Sequence, residues 1–336
     1  MSIANHLISY RKNKCYKSNF ALLASFALLS CFQVGCAGSG HMQVKLNTDT
    51  GQYSIVEGAK PVLQYNYATV NPPAGYLEKV HTKNLKYALP RSNYIHPLFG
   101  PQGEQLTLDW SVDHPHHRGI YWAWPEVQYQ GKMYDLHALQ NVFARPTGKI
   151  KTHNGNDYAE IQAENRWLWE DKTPIVHETA TIRVWTASKT GRYIDLTFKF
   201  APLVEGVTLT RRATKWYGGL NIRMSPIEQM KLNHYADPVD AKPRAAWQSA
   251  TGIFKGATKP AVLAAFEKLD NPEYPGDYIE YPKLPWFQPT FPKAGTRYEL
   301  KKYKPLVLRY RLWIASGTGP TEEEYRRQWN LYQNAK

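Results

Sequence analysis

Cysteine is nearly absent from this sequence, and the few cysteines present lie at one end of it. All three, Cys15, Cys31 and Cys36, fall near the start of a chain of 336 residues. The rest of the chain therefore has no disulfide, no thiolate nucleophile and no thiolate metal site. This absence excludes cysteine-dependent hydrolases and cysteine-ligated metal proteins.

Three other common signatures are also missing. The longest apolar run, Ala21–Phe32, has about 12 residues, whereas a membrane-spanning helix needs roughly 20. No glycine-rich phosphate loop and no regular alternation of strands and helices occurs, which argues against a nucleotide-binding α/β fold. Helix-turn-helix, zinc-finger and RNA-binding motifs are absent too, so we expect no nucleic-acid partner.

The N-terminus has the features of an export signal. A basic stretch ending at Lys17 precedes the apolar run, and small residues surround Cys36. This order predicts a signal or lipoprotein leader over residues 1–36. Cys36 would carry the lipid and attach the protein to the periplasmic or outer-membrane surface, its only contact with a membrane. Gln33 replaces the leucine usual in such signals, so ordinary cleavage nearby remains an alternative.

Composition favours anionic and carbohydrate partners. The formal charge is +14, and it stays near +10 without the basic leader. A basic surface attracts anions, and acidic sugars suit an exported protein better than nucleic acid does. The chain also has 11 Trp and 23 Tyr, whose flat faces suit stacking on sugar rings. The alternatives are a solvated surface without a particular partner and aromatic residues that only fill a β core.

Hydrophobic periodicity predicts an all-β fold. Apolar and polar residues alternate along Ala159–Glu164, Thr179–Thr186, Arg192–Phe200 and Pro305–Ile314, as in half-buried strands. No linker interrupts the chain, so we predict a single domain over residues 43–336, a large antiparallel β-sandwich. Thr321 with Glu324 has capping-box spacing and predicts a short C-terminal helix.

The densest chemical signal is Asp113–Gly119, with the sequence DHPHHRG. In extended backbone His114 and His116 would face one side and His117 the other. Imidazoles exchange protons near neutral pH or bind metals, and Arg118 is suited to clamping a carboxylate. We predict a catalytic site here, with a buried polar network as the alternative.

Residues elsewhere in the sequence could complete this site. Tyr94 and His96 are a plausible base and acid, and Arg223 follows the paired glycines Gly218 and Gly219. The predicted sugar-stacking residues, with a place in the core as their alternative, are Trp122, Trp124 and Trp286.

Metal and carboxylate chemistry remain open. Zinc would need about three protein ligands, for which His114, His116 and either His96 or Asp113 are candidates. The main prediction includes no cofactor. Four carboxylates that the sequence does not pair are also candidate acids or bases: Asp109, Glu126, Asp135 and Glu205.

A resemblance to a known family rests on these residues. His96-Pro97, the DHPHHRG segment and Gly218-Gly219-Leu220 with Arg223 resemble the uncharacterised bacterial family often labelled "methane oxygenase PmoA". Further matches in the same order are Arg244–Trp247, Pro285–Phe287 and Leu308–Arg311, so the resemblance covers about Pro61–Trp313. The label does not suit this chain, because a membrane monooxygenase subunit needs several transmembrane helices.

The resemblance implies a fold similar to the large sandwich of galactose mutarotase and of several polysaccharide lyases. It also favours a strand for Pro260–Leu269, which periodicity alone leaves undecided between strand and helix. Two departures from the family stand out: Tyr217 replaces an acidic residue, and Lys268 with Leu269 replaces a His-Pro. Both raise the question of altered chemistry.

The sequence thus favours an exported carbohydrate-active enzyme that acts on oligosaccharides or polysaccharides, by glycosidic cleavage or by proton abstraction. Histidine, tyrosine and arginine without an evident carboxylate pair suit proton abstraction better than two-carboxylate hydrolysis. The alternatives are a non-catalytic, surface-anchored glycan-binding lipoprotein and a histidine-ligated, metal-dependent hydrolase.

Overall fold

A computed structural model describes residues 40–235, 240–281 and 283–335 of the chain. The predicted leader over residues 1–36, including the predicted lipidation site Cys36, lies outside the described residues.

Extended strands dominate the described part of the chain. One α-helix, α1 (Glu322–Asn334), follows the last strand, and short 3-10 turns occur at Leu77–Lys79, Thr82–Tyr87 and Arg212–Thr214. In chain order the strands are β1 (Met42–Asn47), β2 (Gln52–Glu57), β3 (Lys60–Asn66), β4 (Tyr94–Leu98), β5 (Ile120–Ala123), β6 (Glu126–Tyr129), β7 (Lys132–Tyr134), β8 (Val142–His153), β9 (Tyr158–Trp169), β10 (Thr173–Trp185), β11 (Arg192–Pro202), β12 (Thr208–Thr210), β13 (Gly219–Arg223), β14 (Ile227–His234), β15 (Trp247–Phe254), β16 (Ala261–Glu267), β17 (Tyr278–Tyr281), β18 (Leu284–Pro289), β19 (Tyr298–Glu299) and β20 (Leu306–Ser316).

The strands form two eight-stranded antiparallel sheets and a smaller third sheet. The first sheet has the order β1-β2-β3-β4-β5-β13-β18-β17, and the second β14-β15-β16-β20-β11-β10-β9-β8. A four-stranded sheet, β19-β12-β6-β7, completes the described part of the fold. The prediction of an all-β, large antiparallel sandwich with a short C-terminal helix is confirmed.

The main core lies between the two large sheets. Ala159, Ile161 and Ala163 of β9 are fully buried and alternate with partly exposed neighbours, as the period of two predicted. Trp122 of β5 crosses the interface, with its ring 5.0 Å from that of Phe198 and 5.2 Å from that of Phe200 on β11. Burial of these apolar faces therefore joins the sheets.

β16 departs from alternation because both of its faces are covered. Every residue of Ala261–Glu267 is buried. On the outer side Val262, Ala264 and Phe266 pack in a second cluster that includes Trp329 of α1. A strand buried on both faces reads as a continuous apolar run, which explains why periodicity left this segment undecided.

The helix α1 begins where the capping pattern places it. The hydroxyl of Thr321 accepts a hydrogen bond from the Glu324 backbone N–H at 3.2 Å, which satisfies one of the free donors of the first turn. The Glu324 side chain bonds Arg327 and Gln328 within the helix. No described helix has the length and apolar character required to cross a membrane.

The two faces of β5 have different roles. Trp122, together with Trp124 just beyond the strand, enters the core, and their rings stack at 4.5 Å. Tyr121 points to the opposite face because side chains alternate along a strand. That face lies under the histidine-rich segment.

Candidate functional site

The histidine segment forms a tight turn rather than a strand. The His117 backbone N–H donates to the carbonyl of His114 at 2.9 Å, with Pro115 in the position that its fixed φ favours. The expectation that His117 would face away from His114 and His116 is therefore wrong. The ring of His117 lies 4.8 Å from that of His114 and 4.7 Å from that of His116.

Gly119 fixes the end of this turn against the sheet. Its φ of +63° is in the left-handed region, and a Cβ there would collide with the backbone oxygen of Ile95. Its N–H donates to Leu108 at 2.8 Å, and its carbonyl accepts from the Arg223 N–H at 2.9 Å. A residue with a side chain cannot take this position without moving the backbone, so glycine sets where the histidines lie.

A fourth imidazole comes from a distant loop. His137 follows β7, and its backbone N–H and that of Leu136 both donate to the carbonyl of Trp124, at 3.2 and 3.0 Å. Arg91 donates to the carbonyls of both loop residues. The ring of His137 consequently lies 4.6 Å from that of His116 and 5.3 Å from that of His117.

Tyr121 fixes the tautomer of His137. Its hydroxyl donates to the carbonyl of His116 at 2.7 Å, and a hydroxyl has only one proton to give. The 2.9 Å bond between the Tyr121 hydroxyl and His137 Nδ1 must therefore be donated by the imidazole. Neutral His137 thus carries its proton on Nδ1 and leaves the lone pair of Nε2 free.

These imidazoles line a cavity of about 720 Å³. Part of its wall is aromatic: Trp286 and Tyr281 stack at 4.7 Å, and the ring of Tyr217 lies 5.5 Å from that of His137. A volume of this size accommodates a small ligand. The lining residues are Tyr87, His114, His116, His117, Asp135, His137, Ala138, Arg212, Tyr217, Tyr281, Lys283, Leu284 and Trp286.

The cavity has charged groups at its edge. Arg212 pairs with Asp135 at 2.6 Å and donates to the Tyr217 hydroxyl at 3.3 Å. His114 Nδ1 lies 3.0 Å from a carboxylate oxygen of Asp113, with both side chains close to half exposed. Lys283 is exposed and has no ion pair among the described residues. The lining therefore offers cations and a carboxylate–imidazole pair.

Burial keeps the deeper imidazoles neutral. It lowers the pKa of His116 to about 3, with a further contribution from the charges of His114 and Arg91. Burial, and secondly the neighbouring imidazoles, hold the pKa of His117 well below its usual value. The pKa of His137 is lowered in the same way. A neutral imidazole keeps one lone pair available as a base or ligand.

The two acids near the cavity differ. Burial raises the pKa of Asp135, against hydrogen bonding from the Ala138 N–H and the charge of Arg212. Burial also acts to raise the pKa of Asp113, but the close contact with His114, the interaction with Ser111 and the charge of Arg223 outweigh it, and the net shift of the pKa is downward. Asp113 is therefore ionised beside His114 at neutral pH.

Three predicted site residues lie outside the cavity lining, in a closed cluster below it. Arg118 is buried, forms an ion pair with Asp109 and donates to the Tyr94 hydroxyl at 2.6 Å. Its guanidinium lies 3.4 Å from the centre of the Trp110 ring. His96 Nδ1 bonds the Thr107 hydroxyl at 3.0 Å. The substrate-binding interpretation of Arg118 is corrected, because its charge is already paired and out of reach of a ligand.

The predicted stacking residues separate into two groups. Trp122 and Trp124 are 4% and 0% exposed and lie in the main core, so they offer no face to a sugar and the stacking interpretation is corrected for both. Trp286 does line the cavity, although it is mostly buried and donates to Asn221 at 2.5 Å. Arg223 is also buried, 3.6 Å from Asp113, and does not line the cavity.

A group suited to a metal ion differs from the one the sequence suggested. His116, His117 and His137 each offer one ligand atom, and these atoms lie within 4.8 Å of one another. The sequence instead suggested His114 and His116 with His96 or Asp113. His96 is turned to Thr107, and Asp113 is paired with His114.

Sequence reasoning missed most of the cavity wall. His137 stood alone in Asp135–Leu139, and nothing in the sequence relates it to a turn some twenty residues earlier. Tyr87, Arg212, Tyr281 and Lys283 gave no signal either. Two other carboxylates were candidate acids or bases. Glu126 accepts a hydrogen bond from the Ala213 N–H at 2.7 Å, and Glu205 does not line the cavity.

The two departures from the family pattern lie in different places. Tyr217 lines the cavity, where an acid would face His137. Lys268 instead donates to the carbonyls of Tyr332 and Gln333 at the end of α1, at 2.7 and 3.0 Å. Cations stabilise helix C-termini, so Lys268 belongs to helix docking.

Comparison with known proteins gives a family but no activity. Residues 52–330 match a family of unknown function, DUF6807, and the chain belongs to that family. This agrees with the predicted membership of an uncharacterised family. No curated protein matches the sequence.

One solved structure similar to this chain is described as a putative kojibiose phosphorylase from human microbiome. It has a TM-score of 0.34 and 8% identity over 86% of this chain. The chain spans 33% of that structure's length. A likeness this distant carries no argument about function.

Proposed function

We propose that the protein is a carbohydrate-active enzyme that acts on anionic oligosaccharides by abstracting a proton beside a carboxylate. The observation that carries this proposal is the pair Asp113–His114, with its 3.0 Å contact, at an open cavity that also holds aromatic rings and cations.

His114 is the proposed proton acceptor. Asp113 lies 3.0 Å from Nδ1 without the alignment of a hydrogen bond, and a small rotation of the ring would let it accept the Nδ1 proton and leave the Nε2 lone pair free, as in other carboxylate–imidazole pairs. Its side chain is 43% exposed, so a substrate can reach it. The lowered pKa of Asp113 keeps the negative charge that stabilises the imidazolium formed when His114 takes a proton.

Lys283 and Arg212 are the proposed partners of the substrate carboxylate. Abstraction of a proton beside a carboxylate builds negative charge on that group, and fixed cations lower the energy of the charged state. Lys283 is exposed without an ion partner among the described residues, and Arg212 shares its charge with Asp135. Tyr281, stacked on Trp286, supplies a flat wall for a sugar ring.

Hydrolysis by two carboxylates is less well supported. That mechanism needs an acid and a base on either side of the scissile bond, roughly 5–9.5 Å apart. Asp135 is the sole carboxylate among the described residues that line the cavity, and it is held by Arg212 at 2.6 Å.

The proposed reaction balances without an external reactant. His114 removes the proton on the carbon next to the carboxylate, and the electron pair of that bond forms a carbon–carbon double bond. The bond from the adjacent carbon to the glycosidic oxygen breaks, and that oxygen takes up a proton from the His114 imidazolium or from solvent water. Delivery of a proton from solvent water to the opposite face of the same carbon, without cleavage of the glycosidic bond, gives epimerisation instead, and the proton on His114 is then released to solvent.

A panel of uronate-containing oligosaccharides tests this proposal. Cleavage is followed by the ultraviolet absorption of the unsaturated product, and epimerisation by exchange of the substrate proton in deuterated water. His114→Gln should lower kcat by about 100-fold or more, the usual range for loss of a general base. Its unfolding free energy should change by less than about 0.5 kcal/mol, since the side chain is partly exposed.

The matched control is His177→Gln. His177 also pairs with a carboxylate, Glu164, at 3.1 Å and is partly exposed, but it lies on β10 away from the cavity lining. Its kcat should equal that of the wild type. Unchanged turnover in His114→Gln would contradict the proposed role, and binding of glycans without product or exchange would favour a glycan-binding protein.

A further inference from the structure

We propose that His116, His117 and His137 bind one divalent transition-metal ion of the zinc type at the floor of the cavity. Their three ligand atoms lie within 4.8 Å of one another, and the three residues come from two segments that are separate in the sequence. The assignment stands on this geometry and does not need the reaction proposed above.

The spacing of the rings fits a tetrahedral ion. Zinc binds imidazole nitrogen at about 2.0 Å, so three imidazoles around one tetrahedral zinc have ring centres roughly 5 Å apart. The observed ring-centre distances are 4.7 Å for His116–His117, 4.6 Å for His116–His137 and 5.3 Å for His117–His137. Small side-chain rotations would bring the nitrogens to bonding distance.

Hydrogen bonding prepares His137 to act as a ligand. Because Nδ1 donates to Tyr121 at 2.9 Å, the lone pair lies on Nε2, and a second bond that fixes the ring in this way is the usual companion of a metal-bound histidine. The same Tyr121 hydroxyl holds the carbonyl of His116 at 2.7 Å. One tyrosine therefore positions two of the three proposed ligands.

The other two imidazoles have ring nitrogens that the protein leaves without partners. Nδ1 of His116 and Nδ1 of His117 are buried and have no hydrogen-bond partner in the described part of the chain. A buried polar atom without a partner is costly, and most such atoms in proteins are satisfied. A metal ion would use the bonding capacity of these rings.

The chemistry of the donors narrows the ion. Three neutral imidazoles and no thiolate suit zinc, copper, nickel or ferrous iron rather than magnesium or calcium, which prefer oxygen. Three protein ligands leave a fourth position open towards the cavity. Since neutral ligands do not cancel the charge of the ion, and Arg91 and Arg212 lie nearby, the open position should favour an anion.

Metal titration of the full chain, prepared without a polyhistidine tag, tests the assignment. Protein stripped with a chelator is titrated with Co²⁺ and Zn²⁺, and bound metal is measured by elemental analysis and by the visible spectrum of Co²⁺. We expect one ion per chain and the intense absorption of four-coordinate Co²⁺. His137→Gln should weaken binding by 100-fold or more, whereas His177→Gln should bind as the wild type does.

Two further variants keep the test decisive. His137 is almost fully buried, so His137→Gln could fail to fold. His116→Gln changes a partly exposed position and should weaken metal binding by the same 100-fold or more. Tyr121→Phe should weaken binding about 10- to 100-fold, the usual effect of removing a bond to a ligand, and should alter the Co²⁺ spectrum of the protein that still binds.

Wild-type protein that takes up no more Co²⁺ or Zn²⁺ than His116→Gln would overturn the metal site. That result would leave the proton-abstraction proposal standing if stripped protein still turned over oligosaccharides. Stoichiometric metal binding without turnover on any glycan would support the metal site and count against the proposed reaction instead.

Discussion

Residues of Asp113–Gly119 take part in two polar clusters, one that lines the cavity and one that does not. Above the segment, His116 and His117 have buried ring nitrogens without partners among the described residues, and they line a cavity. Below it, Arg118 is paired with Asp109, bonded to Tyr94 and covered by Trp110, and of its guanidinium nitrogens only Nη1 lacks a partner among the described residues. His117 and Arg118 are neighbours in one motif, yet one belongs to a candidate site and the other to the scaffold. The difference is access: the unpartnered ring nitrogens belong to residues that line the cavity, whereas the unpartnered nitrogen of Arg118 belongs to a residue outside the lining.

The largest effect should come from breaking the lower cluster. Arg118→Met leaves the largely buried Asp109 without its partner, and removal of one member of a buried ion pair typically costs about 3–5 kcal/mol. Urea unfolding measures this cost. Arg183→Met is the matched control, because Arg183 pairs with Glu160 at 2.7 Å in a partly exposed position, where a pair contributes less than about 1 kcal/mol. Equal losses in the two variants would show that Arg118 is not part of the scaffold.

An intermediate effect should appear as a pH dependence from the same cluster. Burial lowers the pKa of His96 to about 4 from its ordinary 6.5. Between these two values the unfolded chain binds more protons at this position than the folded chain does, so this histidine makes stability rise with pH across the window. The wild type should therefore lose up to about 2–3 kcal/mol of unfolding free energy through His96 as the pH falls across this window. His96→Gln has no imidazole to protonate at this position and should not show that loss.

Unfolding curves of wild type and His96→Gln at pH 8, pH 6 and pH 4.5 check this. At pH 8 the imidazole is neutral in both states, so the difference there reports only lost contacts. The stability gap between the two proteins should shrink or reverse as the pH falls. A constant gap would mean that His96 is not shielded from protonation.

The smallest difference between a variant and its control concerns Gly119, the glycine that ends the histidine turn. Gly119→Ala places a Cβ against the backbone oxygen of Ile95, while Gly131→Ala, at a similar φ of +74°, meets nothing within 4 Å. Both variants should lose about 1 kcal/mol of unfolding free energy, because a non-glycine residue is disfavoured in the left-handed region. The steric collision should add about 1–2 kcal/mol at Gly119 alone, measured by thermal unfolding. A drop in Co²⁺ binding should accompany it, because the histidine turn would shift.

Much of the fold could be predicted from the sequence because its signals are local. The alternation at Ala159–Glu164 appears in the burial of β9, and Thr321 caps α1 as its spacing indicated. Pro260–Leu269 could not be settled by periodicity, because α1 covers the outer face of β16. That contact joins segments more than fifty residues apart.

The candidate site was predictable only in part. The DHPHHRG segment marked three of the four imidazoles, but its turn geometry reversed the expected direction of His117. The sequence alone did not decide whether Trp122 and Trp124 lie on a surface or in the core. The packing of the two large sheets places both in the core.

The sequence by itself determined the β class and the terminal helix, because side-chain period and capping act between near neighbours, and it grouped three of the four imidazoles in one segment. Tertiary structure decided which groups are left free to bind. It brought His137 to His116 through contacts with Trp124 and Arg91, and it enclosed Arg118 while leaving His114 open. Burial and convergence depend on the packing of distant segments, and no local pattern encodes them.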